Sequence, residues 1–189
     1  PGDLLDPAYA DRLPRAAADA LGGLDIVVNN AGVITRGTVT DTSDTDWSLS
    51  VGVNVEAPFR ICRAAIPIMA AAGGGAIVNT ASCWGLRPGP SHAVYCMTKA
   101  AIASLTQCMG MDHARQGIRI NAVCPNEVNT PMLRSGFARR GFYPNQFHGQ
   151  DEATSRRSCR KGAILIANRA GLSLAEAQAT AAIRGETHA

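Results

Sequence analysis

Tyr95 and Lys99 are the residues of this sequence whose types and spacing most directly suggest chemistry. They lie four positions apart in a predicted helix and therefore share one of its faces. A phenol is a weak acid with a reference pKa of about 10, and a neighbouring ammonium group stabilises the phenolate and lowers that pKa. Such a tyrosine can donate a proton to a carbonyl oxygen or accept one from an alcohol. Taken alone, however, the spacing is more often that of an exposed lysine beside a half-buried tyrosine.

Three other polar positions could complete such a site. Ser82 ends a predicted strand, where its hydroxyl could donate to a substrate oxygen or simply cap a helix. The run Asn29-Asn30-Ala31-Gly32 ends an earlier strand, and its glycine either lets the backbone approach a ligand or forms an ordinary turn. Asn54 follows the helical segment 47–53, where its amide could hold water or nearby carbonyl groups, or be a solvated residue at a kink.

The elements that must position these residues alternate between strand and helix, which predicts an α/β fold with a parallel sheet. Because the carboxyl ends of parallel strands meet at one edge of the sheet, Asn30, Ser82 and Pro125 should lie close together. We expect strands over 24–28, 76–82 and Ile118–Cys124. We expect helices over Pro7–Leu21, over 45–53 and onward to 72, and over 92–114. The first of these helices should begin at Asp6 as N-cap and be kinked at Pro14.

The overall composition is typical of a single domain, with 189 residues and 46% hydrophobic residues. Six scattered cysteines without C-x-x-C spacing indicate reduced thiols rather than disulfides or a zinc site, and the four histidines show no ligand spacing, so we expect no metal. The apolar runs are too short to span a bilayer and the first residues do not form a signal peptide. We therefore expect a cytoplasmic protein with no membrane contact.

Charge is distributed unevenly along the chain. Residues 1–133 contain nine Lys and Arg against eleven Asp and Glu, whereas residues 134–189 contain nine against four. Such asymmetry can mark a nucleic-acid or membrane contact, or a segment of different origin. The basic cluster over 155–161 has no interleaved aromatic residues, so we expect no nucleic-acid partner. Residues 162–167 could form a short strand, and a capping box at 173–176 could open a helix.

Taken together and in this order, the motifs resemble the short-chain dehydrogenase/reductase family over residues 3 to about 142. The matching pieces are Asp3-Leu4, Leu24-Asp25-Ile26-Val27-Val28-Asn29-Asn30-Ala31-Gly32, Asn54, Ala76-Ile77-Val78-Asn79-Thr80-Ala81-Ser82, Tyr95-Cys96-Met97-Thr98-Lys99-Ala100-Ala101, Arg119-Ile120-Asn121-Ala122-Val123-Cys124-Pro125 and Val128-Asn129-Thr130.

The resemblance implies a role for each matching residue. Tyr95 would be the catalytic acid and base, and Lys99 would lower its pKa and hold the nicotinamide ribose. Ser82 would donate to the substrate oxygen, and Asn54 would keep a water-linked proton relay in place. The remaining implied contacts are to the cofactor: Asp3 and Leu4 at its adenine end, Asn30, Ala31 and Gly32 near its ribose and pyrophosphate, and Pro125, Val128 and Thr130 on its nicotinamide side.

The sequence departs from the family at both ends. A glycine-rich loop of a first βαβ unit should precede Asp3, and Gly73-Gly74-Gly75 precedes a strand and cannot replace it. We therefore expect an incomplete Rossmann-like doubly wound parallel sheet, with a partial NAD(P)-binding domain over 1–142. Residues 143–189 form an atypical basic tail, disordered or partly helical, and our hypothesis is an out-of-frame or recombined end on a truncated gene.

The resemblance implies an oxidoreductase that uses NAD or NADP and a small secondary alcohol or ketone, of the 3-oxoacyl reductase, polyol or sugar type. It also implies a possible homo-oligomer, because family members often pair through long helices. Two alternatives stay open: a non-catalytic remnant that cannot bind cofactor, and a basic-tailed nucleic-acid-binding module. Residues expected to line a substrate pocket, or to pack as core or lid, are Trp84, Arg87, His92, Met132, Leu133 and Phe137.

Overall fold

The computed structural model describes residues 2–126, Met132 and the backbone of residues 164–167. Its helices are α1 (Pro7–Leu21), α2 (Asp44–Val51), α3 (Ala57–Ala71), α4 (Cys83–Leu86) and α5 (Ala93–His113). A π-helical turn, Gly52–Glu56, joins α2 to α3, and a 3-10 turn, Ala114–Gln116, follows α5. The strands are β1 (Ile26–Asn29), β2 (Gly75–Thr80), β3 (Ile118–Cys124) and β4 (Ile164–Ala167).

Helix α1 begins and ends where its sequence signals predict. The carboxylate of Asp6 accepts a hydrogen bond from the backbone N–H of Ala8 at 2.9 Å, and Pro7 occupies the first turn, where its missing N–H costs nothing. Gly22 ends the helix in the left-handed region with φ of 78°. Pro14 lies inside the helix and is buried, and the helix continues through it.

The helical region after β1 is interrupted near the position that the sequence predicts. Ser43 caps α2 by accepting a hydrogen bond from the N–H of Asp46 at 3.1 Å. The chain then passes through the π-helical turn and continues as α3 without a break. Turns of this kind are rare inside helices and occur frequently at functional sites. Asn54 lies at the centre of this one.

The described strands form one sheet in the order β1-β2-β3-β4. The β1–β2 and β2–β3 pairs are parallel, which confirms the expected parallel α/β sheet. Strand β4 pairs with β3 in the antiparallel direction, which the alternation of strands and helices did not predict. This strand falls within the expected 162–167 segment and joins the sheet. The proposed division of the chain at residue 142 stays a prediction.

Helices α1, α3 and α5 pack on one face of the sheet. Strand residues of this face, such as Ile77 and Ile120, are opposite one another in the register and are fully buried against Met69 of α3 and Met109 of α5. On the other face, Ile26 and Val28 of β1 are 66% and 60% exposed. The described residues therefore form one of the two helical layers that a doubly wound sheet has.

Candidate active site

Ser82, Tyr95 and Lys99 meet at the carboxyl edge of the sheet. Ser82 follows β2, and Tyr95 and Lys99 lie on the first two turns of α5, on the face turned toward the strand ends. The hydroxyl of Ser82 is close enough to the phenol of Tyr95 to influence its pKa. The Lys99 Nζ lies over the ring of Tyr95, 5.9 Å from its centroid. The structure therefore brings Ser82 from the end of a strand next to Tyr95 and Lys99 from the start of a helix.

Lys99 is almost completely buried, with 5% of its surface exposed. Its Nζ donates a hydrogen bond to the backbone carbonyl of Thr80, the last residue of β2, at 2.7 Å. Burial lowers the pKa of Lys99 to about 8, and the neighbouring thiol of Cys124 acts in the opposite direction. At neutral pH the side chain is still mostly a cation, and its position is fixed by the strand end.

The pKa of Tyr95 is raised above its usual value, which corrects the expectation that Lys99 lowers it. The largest cause is burial of the phenol, which disfavours the charged form. The nearby hydroxyl of Ser82 lowers the pKa of Tyr95, but does not outweigh burial. Lys99 faces the ring of Tyr95, and burial lowers the pKa of Lys99 itself. The chain by itself therefore holds Tyr95 as a neutral phenol.

Asn54 is a buried structural anchor of the site. Its Oδ1 accepts from the N–H of Val33 and its Nδ2 donates to the carbonyl of Val33, both at 2.9 Å. Its Nδ2 also donates to the Oγ1 of Thr98 at 3.1 Å. With 1% of its surface exposed, Asn54 is not the solvated kink residue that remained an alternative. It ties the loop after β1 to the helix that carries Tyr95.

Gly32 brings this loop against the site. A Cβ at this position would lie 3.2 Å from the Nζ of Lys99 and 3.3 Å from the Oδ1 of Asn54. Distances this short mean that a side chain could be added only if one of these groups moved. The missing side chain therefore leaves the ammonium group of Lys99 open toward the loop.

The one-turn helix α4 covers the site from the other side. Ser82 caps it by accepting a hydrogen bond from the N–H of Trp84 at 3.2 Å, so this serine is both a helix cap and a partner of Tyr95. A Cβ on Gly85 would lie 2.5 Å from the carbonyl carbon of Lys99, which shows how closely α4 packs on α5. The carbonyl of Pro125 accepts from the N–H of Cys83 at 2.9 Å and attaches the end of β3 to α4.

The other residues expected to bind cofactor are distributed as follows. Asn30 and Ala31 are exposed at the end of β1, and the Oδ1 of Asn30 is 3.3 Å from the donating hydroxyl of Thr80. Asp3 and Leu4 precede α1, where the Asp3 carboxylate accepts locally from the N–H of Leu5 at 2.9 Å. Their implied roles stay predictions. Val128 and Thr130 lie outside the described residues.

The expected pocket residues divide into buried and exposed ones. Trp84 is half-buried, with its ring centroid 6.3 Å from that of Tyr95, whereas His92 is only 2% exposed and packs against Trp84. Arg87 is exposed at the end of α4. Met132 is 39% exposed, and its carbonyl accepts from Arg36 at 3.1 Å. The remaining two, Leu133 and Phe137, lie outside the described residues.

Sequence reasoning missed a second buried polar cluster below the site. Asn29 donates through its Nδ2 to the Oδ1 of Asn79 at 2.8 Å and to the Sγ of Cys62 at 3.2 Å. Asn79 donates to the Oγ1 of Thr106 at 2.9 Å. A usable signal was present, because an asparagine inside a buried strand needs a partner. We refer to Asn29, Cys62, Asn79 and Thr106 as the core cluster, and to Asn54, Ser82, Tyr95, Thr98 and Lys99 as the site cluster.

The described part of the chain contains no candidate membrane span and no candidate metal cluster. Across these residues, no helix combines the length and the apolar character needed to cross a bilayer. In the same part of the chain, His, Cys, Asp and Glu side chains do not gather in groups of three or more that could hold a metal ion.

Comparison with known proteins identifies the family. A model of the family described as "short chain dehydrogenase" matches residues 1–141. Oxidoreductase UcpA of Escherichia coli strain K12 is 38% identical over 134 residues, which cover 70% of this chain and 51% of that protein. Meso-2,3-butanediol dehydrogenase of Serratia marcescens is 38% identical over 130 residues, which cover 69% of this chain and 51% of that protein.

Solved structures of dehydrogenases have a fold similar to that of this chain. A gluconate 5-dehydrogenase from Burkholderia cenocepacia J2315, solved in complex with NADP and tartrate, superposes with a TM-score of 0.68 at 31% identity. The superposition covers 71% of this chain and 52% of that one. The chain thus spans about half the length of the curated relatives it matches. With a family model matched over most of its length, this chain belongs to the short-chain dehydrogenase family.

Proposed function

We propose that this chain carries the proton-transfer half of an NAD(P)-dependent oxidoreductase that interconverts a secondary alcohol and a ketone. The observation that carries the proposal is the site cluster, in which a neutral phenol, a serine hydroxyl and a buried ammonium group converge at the carboxyl edge of a parallel sheet. This edge is where ligands bind in open α/β sheets.

The residues present fit a nicotinamide cofactor. An ammonium group has three N–H bonds, and among the described residues Lys99 uses one of them for the carbonyl of Thr80. The others can donate to ribose hydroxyls, and Gly32 leaves the space beside Nζ unfilled. Cofactor contacts would come from Lys99 and the strand-end residues Asn30, Ala31, Gly32 and Pro125, with Asp3, Leu4, Val128 and Thr130 as the remaining expected contacts. When bound, either NAD or NADP supplies or accepts the hydride.

Tyr95 is the proton donor in the direction of carbonyl reduction. Because burial raises its pKa, the phenol keeps its proton at neutral pH and can give it to the oxygen of a ketone. Alcohol oxidation needs the phenolate instead, so we expect oxidation to become faster as the pH rises.

Ser82 and Asn54 organise the reacting groups. The hydroxyl of Ser82 is anchored by the N–H of Trp84 and lies beside the phenol of Tyr95, so it can hold a substrate oxygen next to the phenol. Asn54 fixes the π-helical turn and the loop that contains Gly32. A water-linked proton relay through this turn is part of the proposal.

The substrate is a small secondary alcohol or its ketone. The relatives that support this class are named for butanediol and gluconate. We therefore favour a polyol or sugar acid over a 3-oxoacyl substrate, although the 3-oxoacyl type belongs to the same reaction class. A small-molecule site of this kind is compatible with a homo-oligomer and with a single chain.

A glycine substitution tests the proposal directly. Gly32→Val places a branched side chain against the Nζ of Lys99, so we expect at least about tenfold weaker binding of NADH or NADPH, measured by the fluorescence of the reduced cofactor. Gly23→Ala is the matched control, because a Cβ at Gly23 has no neighbour within 4 Å.

Turnover is then measured with 2,3-butanediol and gluconate, and with the corresponding ketones, at pH 7 and pH 9. Saturable binding of one cofactor by the parent chain, lost in Gly32→Val and kept in Gly23→Ala, supports the proposal. No saturable signal from the parent with either cofactor identifies a non-catalytic family member and contradicts it.

A further inference from the structure

We propose that Trp84 and His92 are positioning residues that hold the ring of Tyr95 through a chain of ring contacts anchored at the backbone of Pro90. The inference rests on the proposed function, because it assigns these residues a role in presenting the catalytic phenol. It also changes the expectation for His92, which is almost fully buried and therefore braces the site instead of lining a substrate pocket.

Tyr95 needs external support because of where it lies. It is the third residue of α5, and its half-buried ring lies against that of Trp84 in α4. A tyrosine side chain on a helix can choose between two common rotamers, and only neighbouring groups decide which one is populated. Catalysis requires the phenol oxygen to stay beside Ser82.

Trp84 supplies this support directly. Its ring plane makes an angle of 78° with that of Tyr95 at a centroid distance of 6.3 Å, an edge-to-face arrangement that aromatic pairs prefer. Its backbone N–H donates to the Oγ of Ser82 at 3.2 Å. One residue therefore orients both the phenol ring of Tyr95 and the hydroxyl of Ser82.

His92 holds Trp84 in turn. The two ring centroids are 4.4 Å apart at an angle of 63°. The Nδ1 of His92 lies 2.8 Å from the carbonyl of Pro90, and because a carbonyl can only accept, Nδ1 is the protonated nitrogen. A Cβ on Gly89 would lie 3.2 Å from the indole, so the tryptophan is confined on that side as well.

The same residues connect to the loop after β1. Gly37 and His92 form a parallel bridge, in which the N–H of Gly37 donates to Ser91 at 2.8 Å and the N–H of Ala93 donates to Gly37 at 3.3 Å. The loop that carries Gly32 is thus fixed to the segment that carries His92. A displacement of His92 would reach Tyr95 through Trp84, whose ring contacts both of theirs.

Steady-state kinetics provide the first test. We expect Trp84→Ala to lower kcat for ketone reduction by about tenfold to a hundredfold, the scale of a misplaced reacting group, with the KM for cofactor changed less than about twofold. Trp84→Phe keeps an aromatic edge and should recover to within about threefold of the parent. Trp47→Ala removes the other tryptophan, which is 46% exposed on α2, and serves as the control.

Two substitutions at His92 separate its ring from its hydrogen bond. His92→Phe keeps a ring against Trp84, whereas His92→Asn keeps a donor for the carbonyl of Pro90 and loses the ring. If the ring contact positions Trp84, His92→Asn lowers kcat more than His92→Phe does. Because the two residues act in series, adding His92→Asn to Trp84→Ala should produce no further loss.

A spectroscopic test does not need activity. The chain contains three tyrosines, so fluorine NMR of 3-fluorotyrosine-labelled protein has few signals, and Tyr95→Phe identifies the one from Tyr95. We expect the Trp84→Ala substitution to change the chemical shift of the Tyr95 signal. The His92→Asn substitution should also change it when Trp84 is present. In the double variant, adding His92→Asn to Trp84→Ala should cause no further change. Trp47→Ala should not move the Tyr95 signal.

The outcomes separate this inference from the proposed function. An unchanged Tyr95 signal in Trp84→Ala overturns the inference. It is also overturned if Trp84→Ala lowers kcat and raises the cofactor KM in parallel, and Trp84→Phe does not restore kcat. If the parent chain binds neither cofactor, the proposed function fails, and the NMR comparison still decides whether Trp84 and His92 hold Tyr95.

Discussion

Two threonines on α5 have almost the same local chemistry and lie in different clusters. Thr98 and Thr106 are both fully buried, and each donates its hydroxyl proton to a backbone carbonyl one turn earlier, to Tyr95 at 2.9 Å and to Ile102 at 2.7 Å. Each also accepts from an asparagine amide, that of Asn54 at 3.1 Å or that of Asn79 at 2.9 Å. Buried hydrogen bonding therefore does not by itself distinguish the site cluster from the core cluster.

What differs is the character of the groups at the end of each network. The core cluster ends at the thiol of Cys62, whose pKa burial raises to about 11, so every member is neutral at physiological pH. The site cluster contains Lys99, whose charge burial opposes, and Tyr95, whose ring is only half-buried. A buried polar network becomes a candidate active site when it carries a destabilised charge beside a group that substrate can reach.

Removing the phenol hydroxyl should give the largest effect. Tyr95→Phe keeps the ring against Trp84 and loses the proton donor, so we expect kcat for ketone reduction to fall by about 100-fold to 10,000-fold. Cofactor affinity, measured by fluorescence, should change little. Tyr9→Phe, on α1, is the matched control and should retain full activity. Equal activity of Tyr95→Phe and the parent would assign the proton transfer to another group.

Replacing the buried cation should change stability in a pH-dependent way. Because the folded-state pKa of Lys99 is about 8, below its ordinary 10.5, the unfolded chain binds more protons between these values. The parent therefore carries a cost of about 3 kcal/mol below pH 8 that disappears as the pH rises toward 10.5. Lys99→Met has no such cost.

Urea unfolding measures this difference at pH 7 and pH 10. We expect the stability of Lys99→Met relative to the parent to be higher at pH 7 than at pH 10, by about 2 to 3 kcal/mol. Arg115→Met removes an exposed charge and should give the same difference at both values. If the stability difference between Lys99→Met and the parent is the same at pH 7 and pH 10, the folded chain does not lower the pKa of Lys99.

Breaking the core cluster should affect stability alone. In Asn29→Ala, the Oδ1 of Asn79 loses its donor inside the core, which costs about 1 to 3 kcal/mol of unfolding free energy. The neighbouring Asn30→Ala removes an exposed amide and should change stability by less than about 0.5 kcal/mol. Turnover per folded molecule should stay at the parent value in Asn29→Ala, and a loss of kcat there would erase the proposed distinction between the clusters.

The sequence predicted the fold best where strong local signals mark the ends of elements. Helix α1 and strand β3 have the predicted bounds, because Asp6-Pro7 and Gly22 enclose the helix and Gly117 and Pro125 enclose the strand. The interruption around Asn54 was also predicted, but not its π-helical form. That form depends on hydrogen bonds to Val33 and Thr98, which are distant in sequence.

The grouping of the site could be predicted and its electrostatics could not. The strand-end rule placed Ser82 at the carboxyl edge of the parallel sheet, and the family resemblance placed Tyr95 and Lys99 beside it. The direction of the pKa shift of Tyr95 depends mainly on how deeply the ring is buried. This burial is a property of packing between α4 and α5, about which residue spacing carries no information.

The two threonines provide the smallest and sharpest test of the comparison. Thr98→Val and Thr106→Val are nearly isosteric, and each removes one buried hydroxyl that both donates and accepts. We expect each to lower the free energy of unfolding by about 1 kcal/mol, measured in urea, because the local loss is the same. Only Thr98→Val should also lower kcat, by about threefold to tenfold, because it frees Asn54 next to Gly32 and loosens the turn of α5 that carries Tyr95. Equal effects on kcat would show that the two clusters differ in position but not in function.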